Sequence, residues 1–261
     1  MALFRKREPK VGSPLSEKEL RKFFQEGNKF NFLKYLSIGA VHQFDDFLGD
    51  AINLDLYAIT KGATATDFTA TADRNGMIRG IHGTTAATSG LLIQTPAMWY
   101  GDYFAGFEIR YRLSVITEQR VEIGFGNAVP SVNTTVVNSL ATPSFNTLAN
   151  GVVYVYDHAT ATTTSGLYSD GTGGTAAAAK TATTTNRPVA DTWQTVRIQT
   201  FGDTNKAALW VDGVLLVDGG SVLHEGGTAN VFFLSATRSD TTDCNLDIDY
   251  IRIWQESSRS I

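Results

Sequence analysis

Cysteine is almost missing from this chain. The single thiol, Cys244, cannot close an internal disulfide, which excludes the stapled design of small secreted domains. Its neighbours, Asp243 and Asn245, do not activate it, so it reads as a structural thiol. Histidine is sparse: His42, His82, His158 and His224 form neither an H-x-x-x-H nor an H-E-x-x-H phrase, and no metal is expected. No apolar run approaches the ~18 residues of a membrane span, so no membrane partner is expected. The opening Met-Ala-Leu-Phe-Arg-Lys-Arg-Glu-Pro leads into no apolar stretch, so no secretory signal peptide is expected and synthesis in a cytoplasm is. There is no P-loop, dinucleotide-binding glycine phrase or Ser-His-Asp triad phrase, hence no expected cofactor.

Charge is also scarce, at 18% of residues against 43% hydrophobic. That balance belongs to a globular chain, and 261 residues are ample for one large core. The net charge of −4 argues against nucleic acid as a partner. The charge is unevenly spread. Residues 1–36 hold nine Lys/Arg and four Glu, a balance of +5, which leaves −9 for the rest. A basic arm on an acidic body suggests that the arm has its own partner.

Residues 1–40 read as that arm, and 41–261 as the body. Within the arm, Ser16-Glu17-Lys18-Glu19 is a capping box, and Leu20, Phe23 and Phe24 then fall on one helical stripe. Phe30 begins a second apolar cluster. So short an amphipathic helix cannot bury its own stripe and must dock, on its own body or on another subunit. The candidate contacts are Arg5, Lys6, Arg7 and Lys10 for charge, and Leu20, Phe23, Phe24 and Phe30 for anchoring.

The body reads as strands. From Phe107 to Val115 apolar and polar residues alternate without a break, with Glu108, Arg110, Arg112 and Ser114 facing away from the core. Val121, Ile123 and Phe125 repeat the pattern, with Arg120 and Glu122 outward. The spacing predicts those charges on a solvated face, joined in cross-strand ion pairs or serving as a contact surface. Asp212-Gly213, between two apolar runs, predicts a two-residue hairpin. Gly151 to His158 predicts a strand. Residues 159–185 hold ten Thr and seven Ala, which predicts an exposed ribbon of small residues. Many short strands and no αβ alternation make an all-β sandwich.

Three phrases sharpen that reading. Phe44-Asp45-Asp46-Phe47-Leu48-Gly49-Asp50 opens the body. Asp191-Thr192-Trp193-Gln194-Thr195-Val196-Arg197-Ile198 precedes Leu209-Trp210-Val211-Asp212-Gly213. Asp249-Tyr250-Ile251-Arg252-Ile253-Trp254-Gln255 comes near the end. Together, over residues 44–255, they resemble the concanavalin A-like lectin/glucanase superfamily. The resemblance implies a jelly-roll β-sandwich, here preceded by a short helical N-terminal arm. The opening phrase and the Thr/Ala/Gly-rich style also resemble domains of phage virion proteins.

The superfamily holds hydrolases, lectins and inert structural modules, so chemistry must be sought in residues. Retaining hydrolases of this fold carry a Glu-x-Asp-x-Glu strand. The nearest phrase here is Glu118-Gln119-Arg120-Val121-Glu122, with Arg120 where the middle Asp belongs. Two carboxylates flanking an arginine stay ionised, whereas the general acid needs a raised pKa. No catalytic residue is therefore expected, and a laminarinase-like hydrolase ranks third. Asp45-Asp46 and Asp247-x-Asp249 read as turn and strand-edge residues ahead of a calcium site. Trp99, Tyr100 and Tyr103 are candidates either to stack a sugar or to plug the end of the sandwich.

The leading expectation is a non-enzymatic structural protein of a virion: a capsid decoration, cement or head-fibre subunit. Its arm would dock on the major capsid protein or other virion proteins, and it would form a homo-oligomer such as a trimer. The alternative is a lectin-like module that binds host glycans.

Overall fold

A computed structural model describes residues 40–48, 52–71, 76–84, 89–126, 131–132, 134–136, 151–158, 165–170, 179–183, 186–201, 206–221, 228–237 and 243–256. Residues 1–39, with every contact residue assigned to the arm and its helix, lie outside them. The described chain is almost wholly β, and its helical content is one 3₁₀ turn, Gly101–Tyr103.

Among the described residues, sixteen strands form two antiparallel sheets. The early strands are β1 (Ala40–Asp45), β2 (Ala58–Lys61), β3 (Thr66–Ala70), β4 (Ile78–His82), β5 (Gly90–Gln94) and β6 (Trp99–Tyr100). The middle strands are β7 (Gly106–Leu113), β8 (Gln119–Gly126), β9 (Gly151–Asp157), β10 (Ser165–Asp170) and β11 (Ala179–Thr183). The last are β12 (Gln194–Thr200), β13 (Lys206–Val211), β14 (Val214–Ser221), β15 (Thr228–Thr237) and β16 (Cys244–Glu256). The first sheet runs β14-β13-β12-β7-β16-β4-β3, with β1 also paired to β16. The second runs β11-β10-β9-β8-β15-β5-β2, with β6 also paired to β15. This is a concanavalin A-like jelly-roll β-sandwich.

The inward faces follow the alternation. Phe107, Ile109, Tyr111 and Leu113 on β7 meet Val121, Ile123 and Phe125 on β8 in one apolar core, joined by Val152, Tyr154 and Tyr156 of β9. Each large side chain so buried contributes about 1.5–3 kcal/mol. The predicted hairpin is present: Val211 pairs with Val214, while Asp212 (φ 52°) and Gly213 (φ 78°) supply the two left-handed residues of a tight turn. The Thr/Ala-rich stretch contains β10 and β11, which extend the second sheet beyond β9.

At Gly106 a Cβ would lie 2.6 Å from a ring atom of Trp254, so the missing side chain lets the indole cross β7. Cys244 is fully buried, hydrogen-bonds the Val115 carbonyl, and is pushed up in pKa by burial. It has no feature of a reactive thiol.

Candidate functional site

The first sheet turns a row of charges and aromatic rings outward. Asp247 on β16 accepts two hydrogen bonds from Arg79 of β4, at 2.6 and 2.9 Å, and one at 2.6 Å from Nη2 of Arg112 on β7. Burial alone pushes Asp247 up. The hydrogen bonds and charges of the two arginines outweigh it and hold the carboxyl below its ordinary value. Next to it Arg110 bonds Asp249 at 2.5 Å, and Tyr250 donates to Glu108 at 2.6 Å. Trp193, at the mouth of β12, lies 5.0 Å from the Arg110 guanidinium and 4.6 Å from that of Arg112, measured to the ring centroid. Further along, Arg197 lies over Trp210 and Trp254 at 4.8 and 5.3 Å, and Arg252 over Trp254 at 5.4 Å. Burial lowers Arg197 to about 10 against the attraction of Glu108, so it keeps its charge near neutrality.

Glu108 thus accepts from the Tyr250 phenol, while Arg110 and Arg112 form cross-strand ion pairs as the spacing predicted. Their partners, Asp247 and Asp249, sat in the sequence as turn and edge residues. Asp249 occupies an irregularity in the pairing of β16 with β7, between Ile248 and Tyr250. The other acidic phrase is local: Asp45 accepts from the Phe47 amide at 2.9 Å, an Asx turn. Among the described residues, no group of three or more His, Cys, Asp or Glu gathers as a metal site.

The outward face of the second sheet corrects one expectation. Arg120 and Glu122 do point away from the core, but neither is solvated. Both are fully buried, as is Asp157 on β9, whose Cα pairs with that of Arg120. Arg120 donates Nε to Glu122 at 2.8 Å, adds a second bond from Nη2, and donates Nη1 to Asp157 at 2.6 Å. The other oxygen of Glu122 accepts the Val136 amide at 2.6 Å. The physical reason is Val136, itself fully buried, whose amide reaches Glu122 from outside the sheet. Glu118 takes no part. It sits exposed in the turn before β8 with φ 59°, so Glu118 and Glu122 do not share a strand face. Asp157 was missed, and its signal was slight: one Asp closing a Val/Tyr strand.

Of the three sugar-stacking candidates, Trp99 is 1% exposed and lies in the core, because pairing of β6 with β15 turns the indole inward. That burial removes it as a stacking surface. Tyr100 and Tyr103 are half-buried at the end of the sandwich, with ring centroids 5.3 Å apart.

No protein-family model matches the sequence. No curated protein matches it either. Solved structures do. A protein of unknown function from Shewanella oneidensis MR-1 has a TM-score of 0.54 at 13% identity, covering 95% of this chain and 98% of its own. A Bacillus licheniformis β-glucanase has a TM-score of 0.54 at 10% identity, covering 84% and 98%. A carbohydrate recognition domain, in a potassium-bound form, has a TM-score of 0.56 at 8% identity, covering 82% and 96%. These likenesses establish the concanavalin A-like lectin/glucanase fold, which both sugar-cleaving and sugar-binding proteins share.

Proposed function

We propose that this chain is a non-catalytic concanavalin A-like module serving as a structural protein of a phage particle. Residues 1–40 dock it on the major capsid protein or a neighbouring virion protein, and further copies of the chain join it in a homo-oligomer such as a trimer. The observation that carries the non-catalytic reading is the Arg120–Glu122–Asp157 network. A glycosidase of this fold needs one carboxylate free to attack and another free to give up a proton. Here the strand that most resembles the catalytic phrase spends Glu122 on a buried arginine and a backbone amide. The virion reading rests on the arm and on the phage-like opening phrase.

Cryo-EM of the assembled particle tests the proposal. The expected result is density for the sandwich outside the shell, with residues 1–40 running along neighbouring subunits. Deleting residues 1–40 should abolish incorporation while the melting transition persists. Incorporation of the truncated chain would overturn the docking mechanism. Sugar release from β-glucan that disappears in Glu122→Gln would overturn the non-catalytic reading.

The second reading is a glycan-binding module. It is favoured by the half-buried Tyr100 and Tyr103, by the aromatic rings on the first sheet, and by structural neighbours that include a carbohydrate recognition domain. A glycan array probed with the full chain tests it.

A further inference from the structure

The outward face of the first sheet differs from the rest of the body in charge. Around Trp193 it carries Arg79, Arg110 and Arg112 against Asp247 and Asp249, a balance of +1, whereas residues 37–261 as a whole carry −9. The same face holds Trp193 and Trp210, both half-buried, each beside a guanidinium. We propose that this face, centred on Trp193 and framed by Arg79, Arg110 and Arg112, binds an anionic polysaccharide bearing carboxylate or sulfate groups. The inference deepens the glycan-binding reading and rests on it. It names the face and the ligand class.

Three features support it. A guanidinium has five N–H donors. Arg110 spends Nη1 on Asp249, and Arg79 and Arg112 each spend Nε and Nη2 on Asp247. Their side chains remain 39%, 38% and 26% exposed, so donors are left for an incoming anion. A carboxylate or sulfate suits that planar fork better than a neutral hydroxyl does.

The second feature is preorganisation. The aspartates clamp the arginines from below, and the indole lies beside two of them, so little side-chain freedom remains to be lost on binding. An indole also offers a flat apolar surface to the C–H face of a pyranose.

The third feature is repetition. Arginine–tryptophan contact occurs at Trp193, just before β12, and again at Trp210, which pairs with Arg197 four residues further along β12. A repeating polymer can use such a series of similar subsites, each weak alone. A tight protein interface instead centres on a desolvated apolar patch with charge at its rim. The two contacts on the Trp193 ring here are guanidiniums, those of Arg110 and Arg112.

The test uses the full chain in native gels containing dextran, dextran sulfate or polygalacturonate at ~0.15 M salt. Retardation by one or both polyanions and not by dextran is expected. Comparing the two polyanions separates sulfate from carboxylate as the preferred group. The basic arm is itself able to bind polyanions, so the deciding comparison is between variants that all keep it. Trp193→Ala and Arg110→Gln should each weaken retardation about tenfold, and Trp193→Phe should restore much of it. Unchanged melting temperatures show that the variants are folded.

Retardation that survives Trp193→Ala and Arg110→Gln would overturn this site and leave the glycan-binding reading standing. Equal retardation by dextran would overturn the anionic specificity. Failure to bind any polysaccharide, neutral or anionic, would sink the inference and the glycan-binding reading together. If Trp193→Ala then reduced particle incorporation, the face would be a protein interface.

Discussion

The outward faces of the two sheets begin from similar residues and end in different environments. On β7, Glu108, Arg110 and Arg112 alternate with core residues, and so do Arg120 and Glu122 on β8. On the first sheet Arg79, Arg110 and Arg112 stay partly in water over a buried Asp247, two of them beside an indole. On the second they are sealed, and an arginine is held between two carboxylates. Period two shows which side chains leave the core. It does not show whether they then meet solvent, because that depends on chain that arrives from elsewhere. A buried ion network also behaves differently from an exposed one. Its members are costly to desolvate, and removing one strands the others. The exposed pairs are screened and individually weak.

That contrast can be broken most forcefully at Arg120. Arg120→Ala leaves Glu122 and Asp157 buried without their counterion, and urea unfolding should show a loss of about 3–5 kcal/mol. Replacing all three with Met, Gln and Asn should recover much of it, since desolvation costs vanish with the charges. A loss below about 1 kcal/mol for Arg120→Ala would mean that water reaches the site.

The interior between the sheets supplies a reference. His82 is fully buried, its Nδ1 is 2.9 Å from the Gln119 side-chain oxygen, and burial lowers its pKa from 6.5 to about 4. The folded state therefore refuses a proton that the unfolded state takes up. Stability is complete above pH 6.5 and declines as pH falls toward 4, by on the order of 3 kcal/mol. His82→Gln should flatten that slope in unfolding curves taken across the window. An unchanged slope would assign it to other groups.

The first sheet should yield smaller effects. Asp247 has a lowered pKa, so its contribution is present above the ordinary value of 3.8 and lost as pH falls through the lower folded value. Asp247→Asn should cost about 1–2 kcal/mol at pH 7, discounted because Arg79 and Arg112 remain partly in water. It should also remove part of the acid sensitivity below about pH 4. The smallest effect is expected at Lys61–Asp67, where both side chains are well exposed and 2.7 Å apart. Lys61→Ala should change stability by about 0.5 kcal/mol or less, and added salt should erase the difference.

The fold was legible wherever the information was local. The β7 alternation, the Asp212-Gly213 turn and the last strand from Asp249 to Gln255 each announce themselves within ten residues. The outward ion pairs were half legible: Glu108, Arg110 and Arg112 could be placed on one face, but Arg79 and Asp247 are 168 residues apart in sequence. Only the topology, with β16 between β7 and β4, brings them together. Trp99 was ambiguous for a related reason, since a two-residue strand has no periodicity to declare its face. In the sequence Trp193 stands out only as part of a fold phrase. Its position between two arginines depends on β12 pairing with β7.

The thirteen residues of β16 pair with β1, β4 and β7, so one strand holds the middle of the first sheet. It is also made after the other fifteen. A nascent chain on the ribosome can form hairpins such as β13–β14, but β1 must wait more than two hundred residues for Glu256 to reach Ala40. The sheet therefore closes after synthesis has passed its final strand. Such high contact order belongs to folding in milliseconds to seconds, not microseconds. Until then three strand edges stay open, and a chaperone or a neighbouring chain has time to find them.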